Sequence, residues 1–556
     1  MVLSLGTRLR PLLASGLSIA LCACGGGGPA ERTGSLLRGA VGIAYTTPTR
    51  SGVTDANGGF KYLDGETVSF AIGAIDLGSA PAAAELDLFD LSGVVQPPVD
   101  RVALFALIST SIEPDHQVLE NVAARARVLF SLDADADPSN GVQIDQATRE
   151  HFATLTVPLQ SGSTMPGVGA FPAQLRDWSI ATGLPARPLM ATGLALALAY
   201  ETAGLDPAIK SVARQRTDQG ADGSIEYETS YTYDGDGNRT SQLSLNADGA
   251  VSAQTVEQWG ANKNRELLER DRDGDGAWDE IWDYQYNAFG DVTANSRRDG
   301  SGELLSEETN EYDERGRRVL RSWQSFESGS GGGGRWSYPE DGVTEAFDSS
   351  GRLRTITYRN TLGAIERVER MDPDDGSVSS ITTHEYDARW RLTSKRVTSS
   401  SGMLRSEERR EYTPGGGLSL LWNDTNGDGV AESIDRRSYD AQGYMSVRER
   451  DADADGRAEQ RHEWLHSAAG LLTEYRRFDE GELAYELAST YDASGVKLSE
   501  VYDVDGDGTI DTRTDYVADA DGYLSEARTD ADGDGLADSI RYWTWEPNVI
   551  SAWYLF

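Results

Sequence analysis

Five short acidic runs carry the clearest chemistry in this sequence. Asp271, Asp273, Asp275 and Asp279 place side-chain oxygens at positions 1, 3, 5 and 9 of a loop, with Gly276 at position 6. Asp424/Asn426/Asp428/Glu432, Asp451/Asp453/Asp455/Glu459, Asp503/Asp505/Asp507/Asp511 and Asp530/Asp532/Asp534/Asp538 repeat that spacing. Ca²⁺ takes roughly six to eight hard oxygen donors in flexible geometry, and a position-7 carbonyl and water can complete such a shell. Asp-Gly runs also make plain hairpin turns. Five copies in register favour cation binding, because so many carboxylates repel one another when no cation is present. Asp133/Asp135/Asp137 is a sixth, weaker run, equally readable as a polar turn.

The spacing resembles the first part of an EF-hand loop without its closing ligand. Trp282 and Thr514 stand where the bidentate Glu would be, and Asp435 alone offers a carboxylate there. The runs are more similar to the calcium loops of thrombospondin and dockerin-type repeats. That likeness implies an extracellular-type affinity of about 10⁻⁴–10⁻³ M.

A second motif, His462-Glu463-Trp464-Leu465-His466, spells the H-E-x-x-H of zinc peptidases. It needs a helix, where residues four apart share a face. In a strand they stand about 13 Å apart, and the local pattern is a strand. A zinc peptidase or other hydrolase on the exported side is therefore the alternative reading, and no enzyme is the favoured one. The sequence has no G-x-S-x-G, P-loop or dinucleotide fingerprint. His116, His151 and His384 are scattered.

The chain begins with an address. Arg8 and Arg10 precede a short apolar stretch from Leu12 to Leu21, too short to span a bilayer well. Leu21-Cys22-Ala23-Cys24 resembles the bacterial lipobox. The resemblance implies cleavage after residue 23 and acylation of Cys24. Gly25 follows, rather than the Asp that retains lipoproteins in the inner membrane, so it also implies an outer-membrane anchor. The mature chain would hold no cysteine free for a disulfide. The formal charge of −39 argues against nucleic acid as a partner and for cations.

The elements that position these residues are repeats. Tyr233, Trp259, Tyr286, Tyr312, Tyr338, Tyr358, Tyr386, Tyr412, Tyr439, Leu465, Tyr491, Val517 and Trp543 recur at about 26 residues, with one slip near Tyr358. A period of this size means an array of one supersecondary unit. Trp282, Tyr284 and Tyr286 alternate with Ile281, Asp283 and Gln285, which is strand periodicity. Each unit is then a β-hairpin, and the array a long antiparallel meander that must coil, roll or close. Eleven of the twelve tryptophans lie beyond Val212, so the repeat is expected to supply its own core around an aromatic ladder. Off-ladder Trp278, Trp336 and Trp422 are candidate contacts for a glycan or protein partner.

Tyr312-Asp313-Glu314-Arg315-Gly316, Tyr439-Asp440-Ala441-Gln442-Gly443 and Tyr491-Asp492-Ala493-Ser494-Gly495 resemble YD repeats of the RHS family, whose strips coil into β-shells. Tyr386-Asp387-Ala388-Arg389-Trp390 lacks the Gly. The likeness covers about residues 212–545, and the toxin-delivery role of some relatives does not carry over.

The domain reading is a signal at 1–23, a Gly-rich tether at 24–37, a small α+β module at 38–210, hairpin repeats at 211–548 and a closing strand at 549–556. The module resembles the N-terminal region of gammaproteobacterial lipoproteins through Tyr45 to Gly52, Gly65 to Phe70 and Leu132 to Gly141. Strands are expected at Val41–Tyr45 and Val68–Ile72. Helices are expected at Val102–Thr110, Val118–Leu132, Ile144–Leu155 and Pro188–Glu201. Together these give a mainly β, lipid-anchored envelope protein whose Ca²⁺-stiffened array serves binding, adhesion or structure.

Overall fold

The computed structural model describes residues 30–94, 97–99, 115–154, 159, 171–184, 186–207, 209–260, 263–360 and 363–548. The signal and Cys24, the expected helix at Val102–Thr110, part of that at Ile144–Leu155, and the expected closing strand at 549–556 lie outside these residues.

The chain is mainly β: a small α+β module followed by a closed antiparallel barrel of 26 strands. In the module, β1 (Glu31–Leu36) lies between β4 (Gly59–Leu63) and β7 (Glu85–Leu86). A second sheet runs β3 (Ser51–Val53), β2 (Ala44–Thr46), β5 (Thr67–Ile72), β6 (Ile75–Pro81). Part of the expected tether is thus already sheet, because Gly34 and its neighbours pair antiparallel with Phe60. Alternation in Val68, Phe70 and Ile72 buries one face of β5 completely.

Among the described residues the module has five α-helices, α1 (Leu88–Leu91), α2 (Asp115–Ser131), α3 (Gln146–His151), α4 (Phe171–Thr182) and α5 (Thr192–Ala203), with α1 packed on β6. Three of the four expected helices correspond to α2, α3 and α5, while α4 has no counterpart among them. Its Trp178 is fully buried and donates to Thr148 Oγ1 at 3.1 Å.

The barrel runs from β8 (Ile209–Gln219) to β33 (Ser539–Asn548), each strand pairing with its sequence neighbours. Closure comes from β33 lying antiparallel to β8, from Asn548 opposite Ile209 to Ser539 opposite Gln219.

The expectation of a self-supplied repeat core fails. The largest fully buried side chains, among them Trp178, Tyr200, Phe60, Phe70 and Phe89, all belong to the module. Barrel side chains are mostly half-buried on both faces. What they bury instead is charge. Glu280 meets Arg272 at 2.7 Å and Arg297 at 2.9 Å, and Glu257 meets Arg239 at 2.8 Å. Asp435, the one position-12 carboxylate, faces Arg448 and Arg437 rather than its loop. A buried carboxylate is tolerable when guanidinium groups replace its water. The barrel is therefore held by backbone ladders, ion pairs and rows of half-covered rings.

Candidate functional site

The barrel has two different ends. At one end, short turns follow the strand-ending aromatics. Asn287 Oδ1 accepts from the amides of Phe289 and Asp291, while Gly290 takes φ 79°. Asp440 and Asp492 cap their turns in the same way. Where the Gly is missing, Trp390 itself is forced to φ 60°.

The aromatic period has a chemical cause. Tyr286 Oη donates to the carbonyl of Arg265 at 2.7 Å, Tyr312 to Val292 at 2.8 Å, Tyr412 to Leu392 at 2.8 Å and Tyr439 to Leu418 at 3.0 Å. Each acceptor lies just beyond the last rung of the ladder between the two strands. The side chain satisfies a carbonyl that the backbone leaves over. Trp545 Nε1 does the same for Leu524. Leu465, Val517, Tyr358 and Trp543 do not hold this place. The strands end instead on His466, Ala518 and Arg359, and Leu465 and Val517 are 58% and 51% exposed.

The five aspartate loops all lie at the opposite end, each joining two neighbouring strands. They share one bonding scheme. The position-9 carboxylate accepts from the position-2 amide: Asp279 from Arg272 at 2.6 Å, Glu459 from Ala452 at 2.5 Å, Asp511 from Val504 at 2.7 Å and Asp538 from Ala531 at 2.7 Å. Glu432 accepts from Thr425 likewise. The position-5 carboxylate accepts from the position-7 amide at 2.7–2.8 Å in all five. The position-1 carboxylate sits deepest: Asp271, Asp424, Asp451 and Asp503 are buried, while Asp530 is less covered. Its Oδ2 accepts from the position-6 glycine amide. That glycine takes φ 86–96°, a conformation open to Gly at little cost.

Carboxylate oxygens converge in these loops. One oxygen from each of Asp451, Asp453, Asp455 and Glu459 lies within 4.8 Å of the others, and the sets Asp271/Asp273/Asp279, Asp424/Asp428/Glu432 and Asp503/Asp505/Asp507 do the same. Burial pushes the Asp424 carboxyl up, but the amides of Gly429, Gly427 and Asn426 outweigh it and hold it below the usual range. The loops hold carboxylate oxygens at a spacing that one hard cation could bridge.

The last loop differs from the other four in the burial of its position-1 carboxylate. Asp532 and Asp534, read from the sequence as ligands, are both exposed, and no residue from Asp530 to Asp538 is buried. Asp532 Oδ1 accepts from the Asp534 amide at 3.2 Å, and Asp534 Oδ1 accepts from the Leu536 amide at 2.8 Å. Both carboxylates thus cap the turn, and water can reach what the turn leaves over. The sister loops share these two bonds, so Asp530, Asp532, Asp534 and Asp538 differ from them only in how far the position-1 carboxylate is covered. This loop precedes the seam strand β33, and its position-1 carboxylate is not covered as in the other four.

A further loop of the same build escaped the sequence reading. Asp218, Asp222 and Glu226 also converge, and Gln219 N donates to Glu226 at 2.6 Å. Position 3 is Gly220, so the signal was a reduced D-x-x-x-D-G-x-x-E. In the module, Asp133 is buried and accepts from Gln143, while Asp135 is held by Asn140, the pattern of a structured turn.

The H-E-x-x-H residues do not form a zinc site. Gln460–His466 is a strand, so Glu463 points to the opposite face from both histidines. His462 Nδ1 is bonded to Tyr475 Oη at 2.7 Å, and Glu463 pairs with Arg461 at 2.8 Å. His462 instead joins a row of rings with Trp464, Tyr475, Tyr485 and Tyr502, centroids 5.4–6.3 Å apart. Of the off-ladder tryptophans, Trp336 and Trp422 are covered by Arg318 and Arg409 at 4.5 and 4.4 Å.

A cavity of about 1490 Å³ lies at the tyrosine-turn end, lined by the turns after His466, Tyr491 and Ala518 and by Lys210. Elsewhere at that end the module docks. Arg315 forks onto Asp177 at 2.8 and 2.5 Å, and Arg176 reaches Asp291 at 2.5 Å and the Gly316 carbonyl at 2.7 Å.

No protein-family model matches the chain, and no curated protein matches it in sequence. Among solved structures, TcdB2-TccC3 is similar at 10% identity and a TM-score of 0.20, over 59% of this chain and 21% of that one. TcdB2-TccC3 without its hypervariable C-terminal region gives 10% and 0.21, over 64% and 22%. The chain thus spans about a fifth of the length of these proteins. A porin-like protein from Bacteroides uniformis is similar at 9% identity and a TM-score of 0.18, over 60% of this chain and 96% of that one.

Proposed function

We propose that this is a cell-envelope lipoprotein whose closed repeat barrel is a binding or structural module held rigid by Ca²⁺ in its aspartate loops. The observation that carries the reading is the common bonding scheme of five loops at one barrel end, with carboxylate oxygens within 4.8 Å of one another in the sets around Asp271, Asp424, Asp451 and Asp503. An ion that binds only the folded state stabilises it by mass action, by about 2.7 kcal/mol per site at a hundredfold excess over Kd. EDTA is therefore expected to lower the melting temperature. An unchanged melting curve, at low salt and without Mg²⁺, would remove calcium from the account.

The anchor is Cys24, set in Leu21-Cys22-Ala23-Cys24. Mass spectrometry of the mature N-terminus should find it acylated, and an unmodified protein in the medium would refute the anchor. No helix among the described residues is long and apolar enough to cross a membrane. Exposed strand positions carry Glu307, Glu311, Arg436 and Arg513, side chains suited to water rather than to a lipid face. The outer membrane is therefore proposed as the site of attachment, with the barrel in the aqueous space and a glycan or protein as partner. A metal-dependent peptidase activity lost in Glu463→Gln would overturn the non-enzymatic reading.

A further inference from the structure

One of the five loops departs from the shared scheme. In the other four, the position-4 amide donates to Oδ1 of the position-1 carboxylate. Gly274 donates to Asp271 at 2.7 Å, Gly506 to Asp503 at 2.7 Å, Gly533 to Asp530 at 2.8 Å, and Gly427 to Asp424. Position 4 of the 451–459 loop is Ala454, an L-residue held at φ 56°. Asp451 there is 0% exposed, and its Oδ1 has no hydrogen-bond partner. Its Oδ2 accepts from Gly456 at 3.1 Å, and the Arg436 guanidinium stands 3.8 Å from that same oxygen.

A buried carboxylate oxygen left without a donor is costly. Four sister loops avoid that cost with one amide. This loop keeps it, and here oxygens of all four acidic residues, Asp451, Asp453, Asp455 and Glu459, lie within 4.8 Å of one another. The geometry points to the Asp451–Glu459 loop as the primary cation site of the array, filled by Ca²⁺ ahead of its sisters, with Asp451 Oδ1 as the ligand kept for the ion. This rests on the calcium reading above and adds an order of filling to it.

The physical reason is a difference in what the ion gains. In the sister loops the deep oxygen already shares its electron density with an amide, so coordination adds less. In the 451–459 loop the ion would be the only direct partner of that oxygen, since Arg436 stands 3.8 Å away on the other oxygen of the carboxylate. Four carboxylates also give this site more charge than Asp424/Asn426/Asp428/Glu432, and calcium affinity rises with ligand charge. Mg²⁺ demands near-octahedral geometry and dehydrates reluctantly, so it should compete poorly.

The test is calorimetric titration of the metal-stripped full chain with Ca²⁺, beside Asp451→Asn and Ala454→Gly. The wild type is expected to show one site at least about tenfold tighter than the others. Asp451→Asn should lose that site and keep the weaker ones. Ala454→Gly gives the loop its sisters' position-4 residue. It should merge the tight site into the weak class and raise the melting temperature of the metal-free protein, since Gly takes positive φ without strain. The second variant keeps the test decisive if the first folds poorly. A single affinity class in the wild type, or a tight class surviving both substitutions, overturns the proposal and leaves the calcium reading standing. No Ca²⁺ uptake at all overturns both.

Discussion

Tyr412 shows what the repeat asks of one residue. Its ring lies under Arg391 at 4.4 Å, and its hydroxyl closes the carbonyl of Leu392. Tyr412→Phe keeps the ring and loses the bond, so it should cost about 1 kcal/mol in denaturant unfolding. The converse can be built at Ala518, which holds the same strand-ending place but has no donor. Ala518→Tyr would aim a hydroxyl at the carbonyl of Lys497, the first residue of its neighbouring strand, into a region where the large cavity offers room. A raised melting temperature is expected, and a lowered one would contradict the role given to these hydroxyls. The same residues show where the sequence misleads. Aromatic identity marks the period only where a donor is present. At His466, Ala518 and Arg359 the backbone position persists without that signature, so counting rings drifts to Leu465, Val517 and Tyr358. The loops were more legible, because the acceptors at positions 1, 3, 5 and 9 each hold a backbone amide of the turn. Position 4 was silent, since its duty is a positive φ and an amide rather than a side chain. Burial was silent too, so the half-covered Asp530 reads like the buried Asp503 at the same loop position.

At the scale of strands, the three barrel histidines give a pH signature. Burial lowers His462, His466 and His384 below the usual histidine value near 6.5, and for His462 the Arg448 and Arg477 guanidinium groups add to it. A histidine held neutral in the folded strand binds its proton more readily in the unfolded chain. Stability from this source is present above about pH 6.5 and is lost as pH falls below it. Melting curves should therefore shift down between pH 7 and 5, and His462→Gln should flatten the slope. An equal slope in that variant would place the acid sensitivity elsewhere. Strand and turn assignments came through from alternation and Asp-Gly turns because both are local. The nature of the barrel's interior did not, since half-buried rings and arginine-held carboxylates look like surface residues in composition. Glu257 and Glu280 are buried, yet nothing in their sequence neighbourhood distinguishes them from exposed Glu311.

At the scale of the whole molecule, module and barrel meet through reciprocal charges. Helix α4 presents Arg176 and Asp177, and the turns present Asp291 and Arg315. Such partly exposed pairs are worth about 1 kcal/mol at most and weaken in salt. Arg315→Glu should loosen the docking, seen as a larger radius of gyration by X-ray scattering. Adding Asp177→Arg should restore it, and failure of that rescue would show that the pair does not set the orientation. Barrel closure was beyond the sequence because it rests on backbone pairing between segments more than three hundred residues apart, which no side-chain pattern announces. That pairing has a kinetic consequence. Hairpins along the array can form early from local contacts, but the seam must wait for its two distant strands to meet, and such non-local pairing is slow. Until then both seam strands are raw edges, open to the matching edge of another chain. Refolding at high protein concentration should therefore yield seam-swapped oligomers, and dilution should restore the monomer.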